Sequence, residues 1–144
     1  MEKDMNPSPF FGHDAKEYGI LSLAYLGDAV MEIMTREYLL KYGSFKKPGD
    51  ITNAAKAFVT CEAQSDAFER IESLLTAEEA DVFRRGRNAK THFAPKHGDL
   101  IQYKRATGFE SLMGYLYSSG ECRRAKELFL AAFGPVLNPL QRTE

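Results

Sequence analysis

Two acids, Asp28 and Glu110, stand in surroundings that make their chemistry worth asking about. Asp28 lies in Leu23-Ala24-Tyr25-Leu26-Gly27-Asp28-Ala29-Val30, where every other residue is apolar or small. Glu110 lies in a second run of the same character, Thr107-Gly108-Phe109-Glu110-Ser111-Leu112-Met113-Gly114-Tyr115-Leu116. An unpaired carboxylate is costly to bury, so each must find a cation, a hydrogen-bond donor or a metal. On a helix Asp28 shares a face with Ala24, Tyr25, Met31 and Glu32, and one reading is a solvated Asp28–Glu32–Arg36 ladder. Gly27 points elsewhere. A glycine inside a helix costs about 1 kcal/mol relative to alanine, and it commonly marks a backbone that something approaches closely. If the two glycine-bearing helices pack together, their carboxylates meet, and they repel unless a cation sits between them. An all-oxygen site of that kind suits Mg²⁺, with Mn²⁺ as a substitute, and water and phosphate complete the shell.

Between the two acids, Arg84 to Arg105 reads RRGRNAKTHFAPKHGDLIQYKR, with seven Lys or Arg against the single acid Asp99. The whole chain carries a net charge of −1, so the remainder is acidic. Basic residues interleaved with Gly, Pro, Asn, His and aromatics are the footprint expected of phosphate-backbone binding. The same arginines would also favour a helix C-terminus electrostatically, and that reading has equal weight for the segment alone. His92 and His97 lack the further ligands of a zinc site and read as polar loop residues.

The elements that must position these groups are helical. Asp14 with Glu17 predicts a capping box that opens a long helix, which continues to about Leu40 and stops at Gly43. Lys46 to Asp50 reads as a turn, and a second helix follows through Ala54, Phe58, Cys61, Phe68 and Ile71. Thr76 with Glu79 predicts another capping box for a short helix ending near Gly86. Arg87 to Asp99 reads as a loop, a fourth helix runs from Leu100 to Ser119, and a fifth spans Glu121 to Phe133. No period-two pattern persists. The class is therefore all-α, a compact helical bundle.

The 144 residues suit one domain, and 44% apolar against 27% charged residues excludes a disordered chain. Residues 14–134 are expected to form the domain, with 1–13 a flexible N-terminal segment and 135–144 a C-terminal tail. No run approaches the roughly 18 apolar residues of a membrane span, and the first dozen residues have no apolar signal core. Cys61 and Cys122 stand alone and read as reduced, partly buried thiols of a cytoplasmic protein.

These residues resemble a known family. LAYLGDAV is similar to the signature helix of ribonuclease III-type endonucleases, and FESLMGYLY resembles the later helix that supplies their second acid. RGRNAK, the Pro95-Lys96 step and the short length narrow the resemblance to the Mini-ribonuclease III branch, which has the catalytic domain without a separate double-stranded-RNA-binding domain. The resemblance spans roughly residues 14 to 133. It implies a homodimer of all-α subunits that cuts double-stranded RNA with Mg²⁺ and matures the 23S ribosomal RNA precursor. It assigns Asp28 as the catalytic acid, Glu110 as its metal-binding partner, and Tyr25 to the dimer seam. It also places Arg85, Arg87, Asn88, Lys90 and Lys96 in the segment that contacts RNA.

The larger ribonuclease III pattern has two further acids, at the positions held here by Ala24 and Thr107. Their replacement leaves fewer direct metal ligands. It is also the best support for a rival reading, a non-catalytic structured-RNA-binding or ribosome-assembly factor on the same fold. A plain helical interaction protein is a third reading, against which the charge asymmetry of Arg84–Arg105 counts.

Overall fold

The computed structural model describes residues 15–90 and 99–136, and these form helices with no strand among them. In chain order the helices are α1 (Ile20–Tyr42), α2 (Pro48–Val59), α3 (Cys61–Ile71), α4 (Ala77–Arg87), α5 (Leu100–Ser118) and α6 (Cys122–Ala132). Short 3₁₀ turns, Ala15–Glu17 and Glu72–Leu74, precede α1 and follow α3. The expected N-terminal segment 1–13, residues 137–144 of the expected C-terminal tail 135–144, and Asp14, His92, Lys96 and His97 lie outside the described residues.

α5 is the axis of the molecule. It buries residues on nearly all sides, from Ala106 and Phe109 through Leu112, Met113 and Leu116, as expected of a helix surrounded by others. Around it an aromatic core closes: Phe68 stacks on Phe83 at 3.7 Å and meets Phe109 edge-on, while Phe58, Phe129 and Phe133 form a second cluster.

Three expected boundaries differ. α1 begins at Ile20 rather than near Asp14, because the Tyr18 amide closes a single 3₁₀ turn onto the Ala15 carbonyl and Gly19 then runs extended. The long second helix is two helices. Thr60 is extended, ends α2, and its hydroxyl accepts from the Ala63 amide to cap α3, so a polar β-branched residue outweighs the apolar periodicity across it. The turn expected over Lys46 to Asp50 is shorter, because Pro48 suits the first helical position and starts α2 there. α4 ends at Arg87, beside Gly86 as expected. A Cβ at Gly86 would lie 2.3 Å from Ser111 Oγ and 3.0 Å from Gly108 Cα, so this glycine is also where α4 meets α5.

Other boundary signals hold. Thr76 and Glu79 form the full reciprocal capping box of α4. Gly120, at φ 80°, ends α5 with the Glu121 amide bonded to the Leu116 carbonyl, a left-handed cap that suits glycine. α6 is fastened by Arg124, whose guanidinium donates twice to the buried Glu79 carboxylate and once to the Leu74 carbonyl. Burial pulls Glu79 upward, yet the bonds from Arg124 and Thr76 hold it below its ordinary value.

Candidate active site

Asp28 and Glu110 meet where α1 crosses α5. The crossing is close because it is built from glycine. A Cβ on Gly27 would lie 1.7 Å from the Glu110 carbonyl oxygen, and one on Gly114 would lie 1.9 Å from the Leu23 carbonyl oxygen. The two backbones therefore touch without intervening side chains. The residue after Gly27 and the residue four before Gly114 are brought together as a consequence. Gly27 thus has the close-approach role that its position in the helix predicted.

Glu110 is half-buried and its carboxyl is pushed up to about 8, first by desolvation and then by the neighbouring Asp28 carboxylate. A neutral Glu110 carboxyl can donate to Asp28, which relieves the repulsion between two close acids. Asp28 itself is exposed, which leaves the pair open on the α1 side. Of the alternative ladder, only the Arg36–Glu32 pair forms, at 3.1 Å on the surface. Cys61, at the start of α3, lies near enough to feel Glu110. Partial desolvation of its sulfur and the Glu110 charge push its thiol up. Both cysteines are free thiols. Cys122 is half-buried as expected, whereas Cys61 is exposed, because the break at Thr60 puts it in the first turn of a helix.

The positions of the missing acids lie one turn before each member of the pair. Ala24 is buried, and the Thr107 hydroxyl donates to the Tyr103 carbonyl of its own helix at 3.0 Å. Among the described residues no group of three or more His, Cys, Asp or Glu comes together as a metal site. Two carboxylates and no soft donor are what this site offers.

The basic residues gather elsewhere. Arg85 and Arg87 occupy the last turn of α4, Asn88 is its C-cap, and Lys90 is exposed just beyond. Arg87 Nε donates to Asn88 Oδ1 at 3.1 Å, and its guanidinium lies 5.8 Å from the Phe83 ring centre. Arg87 and Asn88 line a cleft with Lys104 and Arg105 of α5. By helical periodicity these α5 positions face away from Glu110, which shares its side with Tyr103, Thr107 and Gly114. Lys104 and Arg105 belong to the basic segment but lie outside the positions that the family resemblance assigns to RNA. Their three- and four-residue spacing from Ile101 and Gly108 is the signal that places them on the α4 side. Cys61 gave no sequence signal for its place beside Glu110, because sequence separation hides it.

α1 also has an uncovered apolar face. Tyr25 is 86% exposed, and Leu21, Ile33 and Leu40 are exposed on the same side of the helix. No helix among the described residues is long and apolar enough to cross a membrane.

Comparison with known proteins agrees with this geometry. The family model of the ribonuclease III domain matches residues 21–121, which contain both acids and the crossing that joins them. A Mini-ribonuclease 3 of Symbiobacterium thermophilum is 46% identical, over 78% of this chain and 85% of its own length. One from Enterococcus faecalis is 42% identical, over 80% of this chain and 88% of its own. A crystal structure of a protein from Fusobacterium nucleatum superposes with a TM-score of 0.74 at 28% identity, covering 86% of this chain and 98% of that one. A helical fold built on the α1–α5 crossing, the family match across it and the curated relatives agree: the chain belongs to the ribonuclease III family and is an endoribonuclease.

Proposed function

We propose that the protein is a Mg²⁺-dependent endonuclease for double-stranded RNA, working as a cytoplasmic homodimer, with the 23S ribosomal RNA precursor as its target. The observation that carries this reading is the convergence of Asp28 and Glu110 at the α1–α5 crossing. The pair fits a hard divalent cation. Its donors are both carboxylates, and a cation would relieve the repulsion that two close acids otherwise relieve by keeping a proton. Asp28 and Glu110 would hold Mg²⁺ or Mn²⁺, leaving the remaining octahedral positions to water and phosphate oxygens. When bound, such an ion supplies Lewis-acid polarisation of a phosphoryl oxygen and acidification of a water.

The chain's own residues set the geometry. The Glu110 backbone is pressed against Gly27, which fixes where its half-buried side chain starts. Asp28, exposed on the rim, is the acid that an incoming phosphodiester meets first. Glu110 must surrender its proton before it can ligate, which makes metal affinity rise with pH. Arg85, Arg87, Asn88, Lys90 and Lys96 supply donors for the RNA backbone, whose A-form shape and 2′-hydroxyls are read across the minor groove. The exposed face of α1 supports the dimer, because Tyr25 lies three residues before Asp28 and a second copy seated there would set two acid pairs near one duplex.

The test is incubation of the purified protein with long duplex RNA and Mg²⁺, then with excess chelator. Cleavage should appear with the ion and stop without it. Asp28→Asn should lower the rate by on the order of a thousandfold while duplex binding persists. Equal cleavage by Asp28→Asn would remove the two-acid mechanism.

A further inference from the structure

The cleft between α4, the Glu72–Leu74 turn and the first half of α5 serves neither the acid pair nor the exposed face of α1. Its volume is about 370 Å³, at the small end of the range that ligand sites occupy. Its walls have three kinds of character. Ile101, 65% exposed, and the edge of Phe83 are apolar. Arg87, Asn88 and Lys104 are donors, and Glu72 is an acceptor.

The donors are available. Among the described residues Lys104 makes no hydrogen bond or ion pair, and Arg87 uses only its Nε, toward Asn88 Oδ1. That bond also orients Asn88, because its oxygen is taken and its amide nitrogen is left to donate. Arg105 lines the cleft as well but is engaged by Glu69 at 3.0 Å, so it contributes field more than contact. Phe83 is a core residue, 5% exposed, with Phe68 stacked on one face at 3.7 Å and Gly108 packed close to the ring, so it offers only an edge and not a stacking platform.

We propose that this cleft binds a single ribonucleoside phosphate. The Arg87 and Lys104 cations take the phosphate, with the Asn88 amide beside them. Glu72 accepts from a ribose hydroxyl or a base N–H, and the base lies on Ile101 and the Phe83 edge. A bare anion would leave the apolar wall and the Glu72 carboxylate without a counterpart, and a neutral apolar ligand would leave the cations without one. The nucleotide can come from two sources, a free mononucleotide or an unpaired nucleotide of an RNA chain. Only the second depends on the endonuclease reading above.

The test is a titration of the full chain without divalent ions, followed through its backbone amide resonances. The probes are adenosine and uridine 5′-monophosphate, inorganic phosphate, and a short single-stranded oligoribonucleotide. Mononucleotides should shift the amides around residues 72, 83–88 and 101–105, with a Kd of about 1 mM or tighter, as fits one small ligand in an open cleft. Lys104→Glu should weaken that binding roughly tenfold, by loss of a charge-assisted contact and gain of a repulsion. Glu72→Ala should weaken the mononucleotides relative to inorganic phosphate, which loses a like-charge neighbour. Both changes are at exposed residues, and an unaltered thermal midpoint excludes unfolding as the cause. Tighter binding of the oligoribonucleotide through the same amides identifies RNA as the source, and equal binding identifies the free nucleotide. An absence of shifts, shifts confined to the neighbourhood of Asp28 and Glu110, or equal affinity for inorganic phosphate would each overturn the assignment. Duplex cleavage is measured separately, so loss of this site leaves the endonuclease reading standing.

Discussion

At the scale of single residues, the pair Asp28–Glu110 has a pH signature. Glu110 is raised from its ordinary value near 4.5 to about 8 in the folded chain. In that window the folded state binds a proton that the unfolded chain has released, so stability falls as pH rises through it. Without divalent ions, the free energy of unfolding should therefore drop between about pH 5 and 8, by roughly 2 kcal/mol once relaxation of the pair is allowed. Glu110→Gln, which keeps the hydrogen bond to Asp28 and cannot ionise, should flatten this slope. Mg²⁺ should offset it at pH 8 in the wild type. Thermal melts across that range, with and without the ion, measure all three, and a pH-independent midpoint in the wild type would show that the acids do not share a proton.

At the scale of elements, the site depends on a helix crossing that only glycine allows. A methyl group at Gly27 or Gly114 would overlap the carbonyl of the opposing backbone, and backbone cannot rotate away as a side chain can. Gly27→Ala and Gly114→Ala should each destabilise the protein by about 3 kcal/mol or more, through forced separation of α1 and α5. Gly49→Ala is the control. It lies in the first turn of α2 with nothing within 4 Å, and it should be neutral or stabilising by up to about 1 kcal/mol. Chemical denaturation of the three variants separates the cases, and equal stabilities would mean that the helices can part at no cost. The same crossing explains why separating α1 from α5 would also affect metal affinity, since the two acids ride on opposite partners.

At the scale of the whole molecule, the question is what covers α1. Tyr25, Ile33 and Leu40 are each more than half exposed along one side of a helix whose other side is fully packed. Isolated apolar residues on a surface need no explanation, but a stripe along one helix is a surface for a partner. On the homodimer proposal, sedimentation should give twice the chain mass for the wild type. Tyr25→Glu should shift the protein toward monomer, because it sets two like charges against each other across a two-fold seam. A wild-type monomer at micromolar concentration would refute the seam.

Local features of the chain were enough for much of this. The all-α class, the Thr76–Glu79 cap, the stop at Gly120 and the suspicion attached to Asp28 and Glu110 are all written in residues that are neighbours along the chain. Their physics is local: propensity, capping and the cost of an acid among apolar groups. What was not legible involves partners far apart in sequence. The identity of Gly86 as a packing contact depends on Ser111 and Gly108, the raised carboxyl of Glu110 on Asp28, and the state of the Cys61 thiol on Glu110. The break at Thr60 was local yet missed, because apolar periodicity ran unbroken across it. The cleft beside Lys104 required α4 and α5 to be packed before its walls existed. Distances between segments are set by how side chains fill the space between helices, and that outcome belongs to the folded chain.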